Sequence, residues 1–167
     1  QIGITDMVYN DFYIGEDADV TIVAGCGIHN GGDAKSQHDG IHAFYVGKNA
    51  KVKYIEKHYG TGDGLGERVL NPQTIIELSE GSYLEMDTVQ IGGVDSTVRT
   101  TKATLLGGAA LVIKEKIMTH GTQQAKTDFT VDLNGGDCKV SLISRSVAKG
   151  HSNQVFLSKI NGNNKCM

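Results

Sequence analysis

The residues best suited to chemistry lie early in the chain. Cys26-Gly27-Ile28-His29 is followed by His38 and His42 in a glycine-rich stretch that also holds Asp33 and Asp39. Thiolate, imidazole and carboxylate are the ligands that soft and borderline metals select. Cys26, His29, His38 and His42 therefore form a candidate metal set, although Cys26 is equally at home as a small buried hydrophobe and His29 and His38 as solvated loop residues. Glu56 and His58 follow Tyr54 at strand phase and project from one face with it. An acid and an imidazole so placed can hydrogen-bond or share a ligand, or can simply form a wet charged face.

Other residues give weaker signals. His120 and His151 stand alone in turn-like segments and read as solvated. Gly60-Thr61-Gly62-Asp63-Gly64-Leu65-Gly66 invites comparison with phosphate-cradling loops, but it lacks the Gly-Lys-Ser/Thr ending and no helix pattern follows, so it reads as a coil connection. Cys138 is in phase with Val140 and Leu142 and reads as an inert core thiol. No Gly-x-Ser-x-Gly elbow is present. Asp87, Asp95, Asp128 and Asp132 are weighed as a polysaccharide-cleaving set, for which two carboxylates must flank one bond. With 6% aromatics and no tryptophan, sugar platforms are scarce.

The elements that must position these residues are strands. Val, Ile and Thr number 41 against 10 Leu, and β-branched side chains favour pleated surfaces. Alternation of period two recurs at Val20-Thr21-Ile22, Val52-Lys53-Tyr54, Leu84-Glu85-Met86 and Cys138 to Leu142. With 22 glycines and Pro72 as the single proline, turns run on glycine. A common header precedes the alternating runs: Ile14-Gly15-Glu16-Asp17-Ala18, Val46-Gly47-Lys48-Asn49-Ala50, Leu78-Ser79-Glu80-Gly81-Ser82, Leu106-Gly107-Gly108-Ala109-Ala110 and Leu133-Asn134-Gly135-Gly136-Asp137-Cys138. A period near thirty residues holds two strands of six to nine residues and two turns, which is one coil of a flattened solenoid. The expected fold is an all-β, right-handed parallel β-helix of about five coils with two strands each; a β-sandwich is the competing architecture.

The 167 residues, 39% hydrophobic and 21% charged, suit one globular domain over 1–167 that needs no disulfides. Three cysteines, no signal-peptide pattern and a formal charge of −3 point to a reducing, cytoplasmic setting and give no reason to bind nucleic acid. No apolar run reaches the roughly 18 residues of a spanning helix, so no membrane role is expected. Because the chain starts at Gln1 and stops just after a turn signal, it is expected to be a fragment of a longer protein.

Several strings resemble the core domain of the SufB/SufD family of the SUF iron-sulfur cluster assembly machinery. They are Ile22-Val23-Ala24-Gly25-Cys26, Ile41-His42-Ala43, Ala50-Lys51-Val52-Lys53-Tyr54, Thr119-His120-Gly121-Thr122-Gln123-Gln124-Ala125 and Ser144-Arg145-Ser146-Val147-Ala148-Lys149-Gly150-His151-Ser152, in the family's order. The resemblance implies a β-helix that pairs as a homodimer or SufB/SufD-type heterodimer and works with a SufC-like ABC-type ATPase. It implies a transient iron-sulfur cluster, with flavin in some family complexes. It places Cys26 at the Gly-Cys position proposed as an early sulfur acceptor and His58 near a polar interior position. The family's later Cys-Asp segment and its ATPase-binding region would lie beyond Met167. The expected function is a cluster-assembly scaffold with no turnover of its own; the alternatives are a carbohydrate-active β-helix or a purely structural interaction module.

Overall fold

A computed structural model describes residues 4–29, 36–61, 67–91 and 94–163. The elements in order are β1 (Ile4–Ile14), β2 (Asp19–His29), β3 (Ser36–Val46), β4 (Lys51–Thr61), β5 (Arg68–Leu70), β6 (Gln73–Leu78), β7 (Tyr83–Ile91), β8 (Ser96–Leu105), β9 (Ala110–Thr119), β10 (Gln124–Leu133), β11 (Lys139–Ala148) and β12 (Asn153–Gly162). Among the described residues no helix is long and apolar enough to cross a membrane.

Successive strands alternate between two sheets, and each pairs in parallel with the strand one coil further on. One sheet runs β1-β3-β5/β6-β8-β10-β12 and the other β2-β4-β7-β9-β11. A sandwich of hairpins does not pair this way; the chain is a parallel β-solenoid of about five coils. Most strands run nine to eleven residues, longer than the six to nine expected. The exception is the third coil, where Pro72 lacks an N–H and splits one strand into β5 and β6. The Asn71 side-chain oxygen accepts the Val98 N–H at 3.0 Å, and the Pro72 carbonyl accepts that of Thr100 at 3.1 Å, so the neighbouring strand stays satisfied across the break.

The repeated motif is the first turn of each coil. Asp17, Asn49, Gly81, Gly108 and Asp137 all take positive φ between 59° and 71°, a conformation reserved for Gly, Asn and Asp. Next to them Ala18, Ala50, Ser82 and Ala109 stack coil on coil, each carbonyl accepting an N–H from the following coil at 2.8 to 3.0 Å. The fourth copy of the motif is shifted by one from its expected place. Leu105, not Leu106, registers with Leu78 and Leu133; it is fully buried while Leu106 is 41% exposed.

These first turns anchor the apolar half of the interior. Val46, Leu78, Leu105 and Leu133 line up along one sheet, and Val52, Leu84, Leu111 and Val140 face them from the other. Coil spacing at the turn leaves no room for added atoms. A Cβ on Gly135 would come within 2.2 Å of the Gly107 nitrogen and 2.6 Å of its Cα. Gly135→Ala is expected to prise the last two coils apart and cost about 1–3 kcal/mol, measurable by urea unfolding.

Candidate functional site

The other half of the interior is polar. From the middle of the strands onward, away from the first turns, the inward columns read His42-Thr74-Thr101, Glu56-Thr88-Glu115 and His58-Gln90-Ile117. His42, Glu56, His58, Thr88, Gln90, Arg99 and Glu115 are all more than nine-tenths buried. Polar groups removed from water persist only when they pair with one another or with a ligand.

Strand phase brings the first three together. Tyr54, Glu56 and His58 alternate inward along β4, as their spacing implies, so they form no wet face. His42 reaches the same carboxylate from β3 in the opposite sheet. The His58 Nε2 lies 2.8 Å from Glu56 Oε2, and His42 Nε2 lies 3.5 Å from Glu56 Oε1. The His42 ring stacks on Phe12 (6.3 Å between centroids, 5° between planes) and tilts against Tyr54, whose ring meets Phe44 edge-on. Two residues before it, Gly40 leaves room for the imidazole: a Cβ there would stand 3.3 Å from His42 Nε2. Burial alone pushes the Glu56 carboxyl up. The hydrogen bond from His58, the positive charges of His58 and His42 and the Tyr54 hydroxyl outweigh it and hold the group below its ordinary value. The cluster is therefore built around an ionised carboxylate.

Cys26 registers directly opposite His58 across the β2–β4 ladder, and Gln90 opposite His58 on the other side. The His58 Nδ1 and the Gln90 side-chain oxygen have no hydrogen-bond partner among the described residues, although both side chains are at most 2% exposed. The side chains of Cys26, His29 and His38 lie outside the described residues, as do Asp33, Cys166 and most of the glycine-rich stretch around Asp63. His29 falls opposite Thr61, and His38 opposite Leu70, in the backbone register. Of the metal set expected from the sequence, His42 alone has a described side chain, and it sits with Glu56 and His58. Among the described residues no group of three or more His, Cys, Asp or Glu side chains is arranged to hold a metal ion.

A second buried group is not evident from the sequence. Arg99 on β8 reaches across the interior to Glu115 on β9, and its Nη2 donates to Thr88 Oγ1 at 3.1 Å. A cavity of about 30 Å³ separates this group from Glu56, bordered by Pro72, Thr74 and Met86. Strand phase could have found both residues, because Arg99 alternates with Ala103 and Leu105, and Glu115 with Leu111 and Ile117.

The remaining candidates do not converge. Asp87 faces outward on β7, while Asp128 and Asp132 lie on β10 in the other sheet; Asp95 sits in a connection, where it binds the Arg68 backbone N–H at 2.7 Å. His120 and His151 are exposed. Cys138 ends a turn, half-buried, and its thiol donates to the Leu106 and Gly135 carbonyls at 3.2 and 3.3 Å.

A parallel solenoid with a buried polar layer at this register is the setting in which the comparison with known proteins is decisive. The family model for the SufBD core domain of SUF-system FeS cluster assembly matches residues 9–166. The chain belongs to the SufBD family. An iron-sulfur cluster assembly SufBD family protein of Methanocaldococcus jannaschii is 26% identical over 161 residues, covering 96% of this chain and 50% of that protein. Another SufBD family protein, from Archaeoglobus fulgidus, is 28% identical over 149 residues, covering 86% of this chain and 37% of its own length. The chain thus spans half or less of the curated relatives it matches. No solved structure matches it significantly. SufBD membership ties the chain to iron-sulfur cluster assembly.

Proposed function

We propose that this SufBD chain is a scaffold for cluster assembly in which Cys26 receives sulfur beside the buried His58–Glu56 pair. One observation carries the reading: within a family-matched core, Cys26 occupies the register position opposite His58, whose Nδ1 is buried without a partner among the described residues. In the proposed step the Cys26 thiolate attacks the sulfane sulfur of a donor persulfide. A new S–S bond forms on Cys26, and the donor leaves as its own thiolate. The persulfide sulfur and iron are cargo, assembled into a transient cluster and handed on. His58 and Glu56 hold the polar surroundings that a charged sulfur species needs in a low-dielectric interior.

In this reading the protein has no catalytic turnover of its own. It works in the cytoplasm with a SufC-like ATPase and pairs with a second copy or a SufB/SufD-type relative. A carbohydrate-active site is disfavoured because Asp87 lies on a different sheet from Asp128 and Asp132.

The test is anaerobic reconstitution of the full-length protein with iron and a persulfide donor, with Cys26→Ser alongside. The expected result is a sulfur-to-iron charge-transfer spectrum and a mass increase of one sulfur on Cys26, both lost in the variant while ATPase binding persists. Equal sulfur uptake by Cys26→Ser overturns the assignment.

A further inference from the structure

The outer face of the β2-β4-β7-β9-β11 sheet sorts its charges in two ways. Towards the first turns one carboxylate serves two ammonium groups: Glu85 lies 3.7 Å from Lys53 and 3.5 Å from Lys114. Further along the strands the register sets Lys57, Val89, Lys116 and Arg145 in a single row across β4, β7, β9 and β11. Lys57, Lys116 and Arg145 are exposed and form no ion pair among the described residues. Lys116 and Arg145 are direct register neighbours, and like charges so placed repel. The chain keeps this unfavourable pair although its net charge is −3.

A groove of about 480 Å³ opens at the same place, walled by Lys114, Lys116 and Arg145 and floored by Val89 and Ile143. Ile143 is 43% exposed, so the floor is apolar and reachable. Asp87 stands at one side.

We propose that this groove docks an acidic polypeptide segment of a partner protein, with carboxylates over Lys116 and Arg145 and an apolar side chain on Val89 and Ile143. Charge complementarity identifies the partner. Neutralising the Lys116–Arg145 pair relieves a repulsion already present, and the apolar floor rewards a side chain that a phosphate backbone lacks. Asp87 beside the row would repel a continuous polyanion, which favours a peptide over a nucleic acid. Docking of this kind depends on the outer face alone and is independent of the role of Cys26.

The experiment is fluorescence anisotropy of a labelled dodecapeptide alternating glutamate and leucine, titrated with the intact protein at low salt and at about 0.15 M salt. Binding is expected to weaken with salt and to fall about tenfold or more in K116E/R145E, since two attractive surface contacts become repulsive. Asp87→Asn is expected to tighten it, a gain that a misfolded variant cannot give, and Lys126→Glu on the other sheet to leave it unchanged. Equal affinity of wild type and K116E/R145E overturns the proposal, as does tighter binding of a twelve-base oligothymidylate through the same two residues.

Discussion

Arg99→Met is expected to lower the unfolding free energy by about 3–5 kcal/mol, seen as a reduced urea midpoint at an unchanged slope. The reason lies in what remains behind. Arg99 and Glu115 are each 7% exposed, and they meet across the interior between strands of different sheets. Removing the guanidinium leaves the Glu115 carboxylate in a low-dielectric layer with its counter-charge gone, and also strips Thr88 Oγ1 of its donor. The pair itself adds little net stability, because desolvating two ions offsets most of their attraction. A double variant therefore separates the two effects: Arg99→Met with Glu115→Leu is expected to recover most or all of the loss. If both single and double variants unfold at the wild-type midpoint, the buried pair does not hold the two sheets in the way described.

How far such features can be read in a sequence depends on whether they repeat. The turn motif around Ile14, Val46, Leu78 and Leu133 recurs because each coil must make the same left-handed turn with a small residue behind it, so the period exposes the solenoid. Its fourth copy reads one residue out of place because Leu105 and Leu106 are adjacent and equally apolar; only the inter-coil register, which pairs Leu105 with Leu78, tells them apart. The inward course of Glu56 and His58 is legible from Tyr54, since strand phase is a local property. The arrival of His42 from the opposite sheet is not, because it depends on how the two sheets face each other. The same reason hides the Arg99–Glu115 pair: each residue is readable alone as an inward polar group, but their pairing crosses the interior. Exposure is the hardest property to foresee. Alternation on β4 distinguishes one face from the other without saying which is wet, and the polar half of the interior inverts the usual assignment.

That inversion gives the cluster around Glu56 a testable dependence on pH. The folded-state pKa of Glu56 lies below its ordinary value: burial raises it, and the His58 hydrogen bond, the His58 and His42 charges and the Tyr54 hydroxyl lower it by more. A depressed carboxylate contributes stability that is fully present above the unfolded pKa of about 4.3 and is lost as pH falls through the folded value. Glu56→Gln keeps the shape and removes the charge. At pH 7 the variant is expected to be less stable by about 1–3 kcal/mol, the usual cost of taking an ionic partner from buried polar groups, here the facing His58 and His42 nitrogens. As pH drops below the ordinary carboxylate range, wild-type Glu56 takes up its proton and comes to resemble the amide, so the two unfolding curves should converge. Urea midpoints of both proteins between pH 7 and pH 3 provide the measurement. A gap that stays constant across that range, or widens towards acid, would mean that the carboxylate is not held ionised by the imidazoles, and the electrostatic account of the polar interior would fail with it.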